Sequence, residues 1–468
     1  MKIKFLGAAR EVTGSKHLIT TDAGKKILLD CGSFQGKGLA TDEKNRNPGI
    51  KPAEIDHIIL THAHIDHSGM IPYFYREGFR GSVICTFATR DLCAIMLADS
   101  GFIQEHDTQW FNKKRARQGL PPVDPIYTKQ DAEKCMELFI GVSYNRKFRI
   151  DPNITVKFTN TGHLLGSAVA SIEITENGKP LRIAYTGDIG RSANRILRSP
   201  DAFPQCDYLI AESTYGDRLH TSHQDAAGML LKIMQETCVE KRGKLIIPSF
   251  AIGRTQELVY TLDKFYNAGL LPRIKIFVDS PLAVNATHIF RLHPECFNKD
   301  VLSLMETDPD PFGFATLEYI TKVETSKKLN DSKEPCVIIS ASGMMEAGRI
   351  KHHLANNIDN PKNTVLVVGY CAPDTLGARI ARGDKEVSIF GTPHQVNARV
   401  ERIDAYSGHG DYEEMIAFLS CQDKQAIRKV FLVHGDETAQ NFYKDKLAEA
   451  GFNKVAIPAP GEEVSLIA

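Results

Sequence analysis

Between Thr61 and Ser68 the chain places His62, His64, Asp66 and His67 within six residues. Imidazole and carboxylate are the side chains that ligate borderline metal ions, and histidine-rich sets suit zinc better than magnesium, which prefers oxygen. On an extended backbone, residues two apart point to one side. His62, His64 and Asp66 therefore share a direction and His67 departs from it. That departure predicts that the chain is turning and that one segment feeds two adjacent ions. A polar loop with histidines bonded to backbone is the competing reading, and so dense a cluster argues against it.

Four more positions share a context, a strand end with glycine close by. Asp30 lies in Leu28-Leu29-Asp30-Cys31-Gly32, His163 in Thr161-Gly162-His163-Leu164, Asp188 in Thr186-Gly187-Asp188-Ile189, and His434 in Val433-His434-Gly435-Asp436. Glycine lets backbone approach an ion and takes turn angles that other residues avoid. Each segment alone reads as a turn. Together with the histidine cluster they supply the ligands that a two-metal site needs.

These groups need rigid delivery. The apolar, β-branched run of residues 55–61 ends at the histidines, as a buried strand delivering ligands at its carboxyl end does. Residues 3–7, 17–21, 26–30, 154–158, 168–175 and 181–186 also read as strands, the last two flanking the hairpin signal Asn177-Gly178. Residues 68–77 and 89–104 read as helices. Residues 105–125 are polar, with Lys113-Lys114-Arg115 followed by Pro121-Pro122; that charge run reads first as a solvated helix end and second as a phosphate contact. From about residue 215, helical patterns alternate with short buried strands at 245–248, 274–278, 336–340 and 364–369, the signature of a parallel α/β unit. From about residue 397 the pattern returns to a ligand-bearing strand at 430–433. One continuous domain interrupted by an inserted one fits this order better than a tandem. There is no internal repeat.

The 468 residues exceed one ordinary core. An apolar fraction of 42% and a charged fraction of 24% are those of a soluble globular chain. The formal net charge is zero, so a nucleic-acid partner would have to be held by a local surface and by metal ions. Ten cysteines occur without paired spacing, which predicts reduced thiols and a cytoplasmic location and argues against a thiolate zinc site. No signal peptide or membrane span is expected.

In these segments the chain resembles the metallo-β-lactamase superfamily. In its second half it is similar to the β-CASP branch of nucleases, through Glu212-Ser213-Thr214-Tyr215-Gly216, Pro248-Ser249-Phe250-Ala251-Ile252-Gly253-Arg254, Ser340-Ala341-Ser342-Gly343, Gly369-Tyr370, Ser407-Gly408-His409-Gly410-Asp411 and Val433-His434-Gly435-Asp436. The resemblance spans nearly the whole chain. It implies an α/β fold: an αββα sandwich formed by residues 1–210 and 396–468, with a parallel α/β β-CASP domain of residues 211–395 inserted and a site in the cleft where they meet. It implies two zinc ions, with manganese as a substitute: His62, His64 and His163 on one, Asp66, His67 and His434 on the other, Asp188 bridging. Asp30 would orient a ligand from behind. Asp66, Glu212 and His409 would be catalytic, His409 donating a proton with Glu212 beside it.

The implied reaction is hydrolysis of single-stranded RNA by a water activated between the ions, an endonuclease with exonuclease action as an option, and a homodimer as the assembly option. Ser249 with Arg254, and Ser342 with Arg349, sit at strand-to-helix junctions and are weaker candidates for holding substrate phosphate, with structural capping the alternative. Phe250 and Tyr370 are candidates for stacking on bases. His352, His353 and His394 are candidates for lining the site, with core or surface placement expected first. Competing functional readings are a DNA nuclease or other phosphodiesterase on the same fold, and a non-catalytic RNA-processing scaffold.

Overall fold

The computed structural model describes the chain except residues 37–38, 221–225, 370, 372–374, 404–407 and 468, so Tyr370 and Ser407 lie outside the described residues. The described chain divides into two compact units, Met1–Leu219 with His409–Ala468, and His220–Gly408.

The first unit holds two seven-stranded sheets. One runs, neighbour by neighbour, Glu463–Ser465, Lys2–Gly7, Lys16–Thr20, Lys26–Leu29, His57–Ile59, Ser82–Thr86 and Phe139–Val142. The other runs Val455–Ala456, Lys429–Val433, Tyr208–Glu212, Lys179–Tyr185, Ala168–Glu176, Ile154–Asn160 and Lys147–Asp151. Alternation along Lys2–Gly7 turns one face inward: Ile3 and Phe5 are buried, while Lys2 is exposed and Lys4 and Leu6 are half-buried. These side chains, with Ile19 and Ile59, meet Val156, Ile172, Ile183 and Phe431 of the other sheet in a shared core.

The second sheet's outer face, through Leu209, Ala211 and Leu432, packs on Met415, Leu419, Tyr443 and Leu447 of helices Tyr412–Leu419 and Glu437–Glu449. Strand Tyr208–Glu212 is buried along its length, as expected of a parallel central strand covered on both faces. Helix Phe87–Arg117 packs against the first sheet's edge strands. The layers are helix, sheet, sheet, helix.

The second unit is built on a six-stranded sheet, Leu317–Ile320, Lys275–Asp279, Cys336–Ser340, Leu245–Pro248, Thr364–Val367 and Arg399–Arg402, in which every pairing is parallel. Among the described residues no helix is long and apolar enough to cross a membrane.

Three details depart from the sequence reading. The strand expected at 55–61 is only His57–Ile59, and His64 caps the short helix Ile65–Ser68. Asp66 and His67 diverge because they lie in a helical turn, where the amides of His67 and Ser68 both donate to the His64 carbonyl. The helix expected at 89–104 runs from Phe87 to Arg117, because nothing before Gly119 breaks it. Strand Arg399–Arg402, assigned from sequence to the sandwich, pairs with Thr364–Val367 in the second unit, while Tyr208–Glu212, cut by a boundary at 210, lies wholly in the first.

Candidate metal centre

The histidines and carboxylates gather at the carboxyl ends of the central strands of the first unit. His62 Nε2 lies 3.1 Å from His64 Nδ1, and His163 Nε2 lies 3.2 Å from the same atom. Asp188 Oδ2 closes this group, 3.4 Å from His62 Nε2 and 3.4 Å from His163 Nε2. A second group forms beside it. His67 Nε2 is 3.1 Å from His434 Nε2, which is 3.3 Å from Asp66 Oδ2, and Asp188 Oδ1 is 3.2 Å from His67 Nε2. The two oxygens of Asp188 are thus divided between the two groups.

Two observations test whether these residues fit metal ions. Ligands about 2.0–2.1 Å from a tetrahedral zinc are separated by edges of about 3.3 Å, and the donor separations above cluster around that value. Asp188 Oδ1 is buried and accepts no hydrogen bond. A buried carboxylate oxygen left in that state costs free energy unless a cation satisfies it. The residues fit.

The surroundings set each ligand's orientation. Asp30, fully buried, accepts from the Thr61 amide and hydroxyl and from the Tyr185 hydroxyl, all at 2.8 Å, and its Oδ2 lies 2.6 Å from His67 Nδ1. That contact turns His67 Nε2 toward the second group, the arrangement common behind metal-bound histidines. The Thr214 hydroxyl donates to Glu212 Oε2 at 2.6 Å and stands 2.9 Å from His434 Nδ1, leaving His434 Nε2 for the second group. Asp30 and His434 both hold left-handed backbone, at φ 56° and 54°. Non-glycine residues adopt it at a cost that surrounding structure has to meet. Gly32 is required on different grounds: a Cβ there would stand 1.6 Å from the Asp66 carbonyl oxygen.

Charge follows burial and neighbours. Burial lowers the imidazole pKa of His62, His163 and His64, that of His64 to about 3, which leaves them neutral with lone pairs to offer. Burial opposes charge on His67 too, but Asp188 and Asp30 hold its pKa well above the usual value. At Asp66 and Asp188 burial is overcome by the neighbouring imidazoles, and both carboxyls are held low. His409 Nδ1 lies 3.1 Å from Glu212 Oε2. Burial would lower its pKa, but the Glu212 and Asp188 carboxylates raise it to about 10. Its ring packs 4.5 Å from that of His163, and the Ile189 amide donates to Glu212 Oε1.

Asp30, His62, His64, Asp66, His67, His163, Asp188, Glu212, His409 and His434 therefore share one neighbourhood. Sequence reasoning missed Thr214 and Tyr185, although both stand in segments it singled out. The phosphate candidates in the second unit come out differently. The Ser249 hydroxyl is buried between Thr255 Oγ1 at 3.1 Å and the Phe250 carbonyl. Arg254 pairs with Glu257 at 3.5 Å with its side chain 9% exposed. The Ser342 amide donates to the Ala347 carbonyl at 3.1 Å.

Arg349 donates to Asp279 Oδ1 at 2.6 Å and to the Ile320 and Thr321 carbonyls. These contacts tie turns and strand ends of the second unit together, the structural role that the sequence reading set beside phosphate binding. His353 is buried against Asp279, His352 packs on Phe390, and His394 stands near Asp359.

Comparison with known proteins agrees with this architecture. Residues 12–87 match the metallo-beta-lactamase superfamily, 255–380 the Beta-Casp domain, and 393–458 the Zn-dependent metallo-hydrolase RNA specificity domain. A Thermus thermophilus protein named a ribonuclease is 34% identical over 467 residues, covering 100% of this chain and 98% of its own. The transcription termination factor FttA of Methanocaldococcus jannaschii is 33% identical over 94% of this chain and 67% of its own. An RNase J-like protein of the same organism is 32% identical over 93% of this chain and 92% of its own. A crystal structure of an Enterococcus faecalis protein of unknown function shares the fold, with a TM-score of 0.55 at 13% identity over 99% of both chains. With its histidines and carboxylates clustered at strand ends, its interrupting parallel sheet and full-length kinship of this kind, the chain belongs to the metallo-β-lactamase superfamily and, within it, to the β-CASP metal-dependent hydrolases.

Proposed function

We propose that the protein is a two-zinc ribonuclease that cuts single-stranded RNA internally. The observation that carries this reading is the division of the Asp188 oxygens, Oδ2 toward His62 and His163 and Oδ1 toward His67 and His434. One carboxylate serving two nitrogen-rich groups is what two adjacent ions require. In the proposed assignment His62, His64 and His163 hold one ion, Asp66, His67 and His434 the other, and Asp188 both; the same nitrogen and oxygen donors would accept manganese in place of zinc. Bound there, the ions would supply Lewis acidity toward a phosphoryl oxygen and a nucleophilic water at neutral pH.

The chain's own residues do the rest. Asp30 fixes the His67 ring, and Thr214 fixes that of His434. Glu212 keeps the His409 proton at Nδ1 and turns Nε2 outward. The Glu212 carboxylate favours the protonated imidazole, so Nε2–H can donate to the departing 3′ oxygen, leaving a 5′-phosphate on the downstream fragment. RNA as substrate is supported by relatives named ribonuclease and RNase J-like and by the match to the RNA specificity domain.

A circular single-stranded RNA tests this directly. The zinc-loaded protein should linearise the circle and leave a 5′-phosphate, and Asp188→Ala should leave it closed. Intact circles alongside cleaved bis(p-nitrophenyl) phosphate would move the substrate to another phosphodiester. Equal cleavage of a matched DNA circle would remove the preference for RNA.

A further inference from the structure

Helix Phe87–Arg117 has two unlike halves. Up to Gly101 it buries Ala88, Leu92, Cys93, Met96 and Leu97 against the sandwich. Beyond Gly101 none of its residues is buried. Its outward arc carries Phe102, Ile103, Trp110 and Phe111, which are 59%, 41%, 67% and 38% exposed. Trp110 is the chain's single tryptophan. Large apolar side chains gathered in this way on a surface mark a contact site.

Lys113, Lys114 and Arg117 follow Trp110 by three, four and seven residues, which at helical spacing places them on its face. None of the three makes an ion pair among the described residues. Arg115 lies 5.7 Å over the Phe111 ring. From Phe102 to Arg117 four cations, Lys113, Lys114, Arg115 and Arg117, outnumber two carboxylates, Glu105 and Asp107, in a chain whose formal net charge is zero. The helix dipole favours cations at this end, which accounts for part of the charge but not for the aromatic rings.

We propose that the outward face of residues 102–117 is a second binding site for single-stranded RNA, Trp110 and its aromatic neighbours stacking on bases while Lys113, Lys114 and Arg117 hold phosphates. Aromatic platforms interleaved with cations are how proteins hold single strands without reading sequence. A second copy of the chain fits less well, because apposing two such faces would double the same cationic excess. The inference rests on the ribonuclease reading. It adds a tether that raises the local concentration of long substrates and leaves the chemistry at the metal centre unchanged.

The test uses zinc-loaded protein with a long single-stranded RNA, a short oligonucleotide and bis(p-nitrophenyl) phosphate. Trp110→Ala should raise the Kd for long RNA about tenfold, and Trp110→Phe should restore most of the loss. Lys113→Ala combined with Lys114→Ala should lower the salt-dependence slope of binding by about 1.4. Turnover of the short oligonucleotide and of the small ester should not change. Unaltered affinity for long RNA in both variants overturns the site while the ribonuclease reading stands. Sedimentation showing a dimer that Trp110→Ala dissociates, with RNA binding intact, reassigns the face to a second copy. A wild-type protein that cleaves the ester but no RNA overturns both.

Discussion

Two buried aspartates at strand ends, one in each unit, look alike in sequence and differ in what their oxygens do. Asp279 ends strand Lys275–Asp279 of the second unit. Its oxygens are engaged by Arg349 at 2.6 Å, His353 at 2.7 Å and the Ser326 hydroxyl, and its backbone carbonyl by Ser340 at 2.8 Å. Asp188 follows strand Lys179–Tyr185 of the first unit. Its neighbours are four imidazoles held at 3.2 to 3.6 Å, and its Oδ1 accepts nothing. The saturated carboxylate staples a sheet to its loops. The unsaturated one is built to receive cations. Saturation, rather than residue type or position, separates architecture from chemistry here.

The comparison can be broken from either side. Asp188→Ala should remove several kcal/mol of transition-state stabilisation, a loss of about 10^3-fold or more in RNA hydrolysis. Elemental analysis should show metal lost with it and circular dichroism an unchanged fold; retained metal and activity would end the bridging assignment. His409→Ala should slow the chemical step by about 10^2- to 10^4-fold, with metal content equal to wild type. A fall in zinc would make His409 a ligand.

Asp279→Asn should do the reverse of Asp188→Ala. Loss of the buried pair with Arg349 should cost about 3 kcal/mol by denaturant melts, with turnover per folded molecule unchanged. Burial raises the Asp279 carboxyl, but His353, Ser326 and Arg349 lower it further, to a net depressed pKa. Its contribution is therefore present above the unfolded value near 3.9 and disappears as pH falls through the lower folded value.

Asp30→Asn sharpens the contrast, because it perturbs saturation behind a ligand without touching the ion. Zinc affinity measured by chelator competition should fall about 10- to 100-fold. The smallest effect is spectroscopic. In metal-free protein the His409 imidazole should titrate near pH 10 by nitrogen-15 NMR. Because that value is raised above the unfolded one, the stability it confers is complete below about pH 6.5 and fades as pH climbs through 10. Titration near 6.5 in the folded protein would mean that Glu212 does not engage it.

Much of this was legible beforehand, for definite reasons. His62, His64, Asp66 and His67 are packed too densely for structure alone, and the alternation of Ile3 and Phe5 betrays which face is covered. Other features depend on partners distant in sequence. The hydrogen bond from Arg349 to Asp279, seventy residues away, cannot be read from either segment alone. Thr214 and Tyr185 orient rings through hydrogen bonds that span 220 and 155 residues. The outer half of helix Phe87–Arg117 shows no helical periodicity because its outward arc carries apolar side chains where an amphipathic helix carries polar ones. Strand Arg399–Arg402 is short and half-exposed, so little in it announces a partner.

The sandwich has one more property. The residues proposed as its ligands are numbered 62 to 67, 163, 188 and 434, and strand Lys429–Val433, which precedes the last of them, pairs beside Tyr208–Glu212 although the sequence of the other unit intervenes. During translation the ribosome must make the entire second unit before that strand exists. The second unit's sheet lies wholly between Leu245 and Arg402 and is complete in sequence before that strand emerges, while the first waits for a closure of more than two hundred residues. The nascent chain therefore carries an incomplete ligand set almost to the end of its synthesis. On the ribonuclease reading, the proposed site is completed only when His434 has been made.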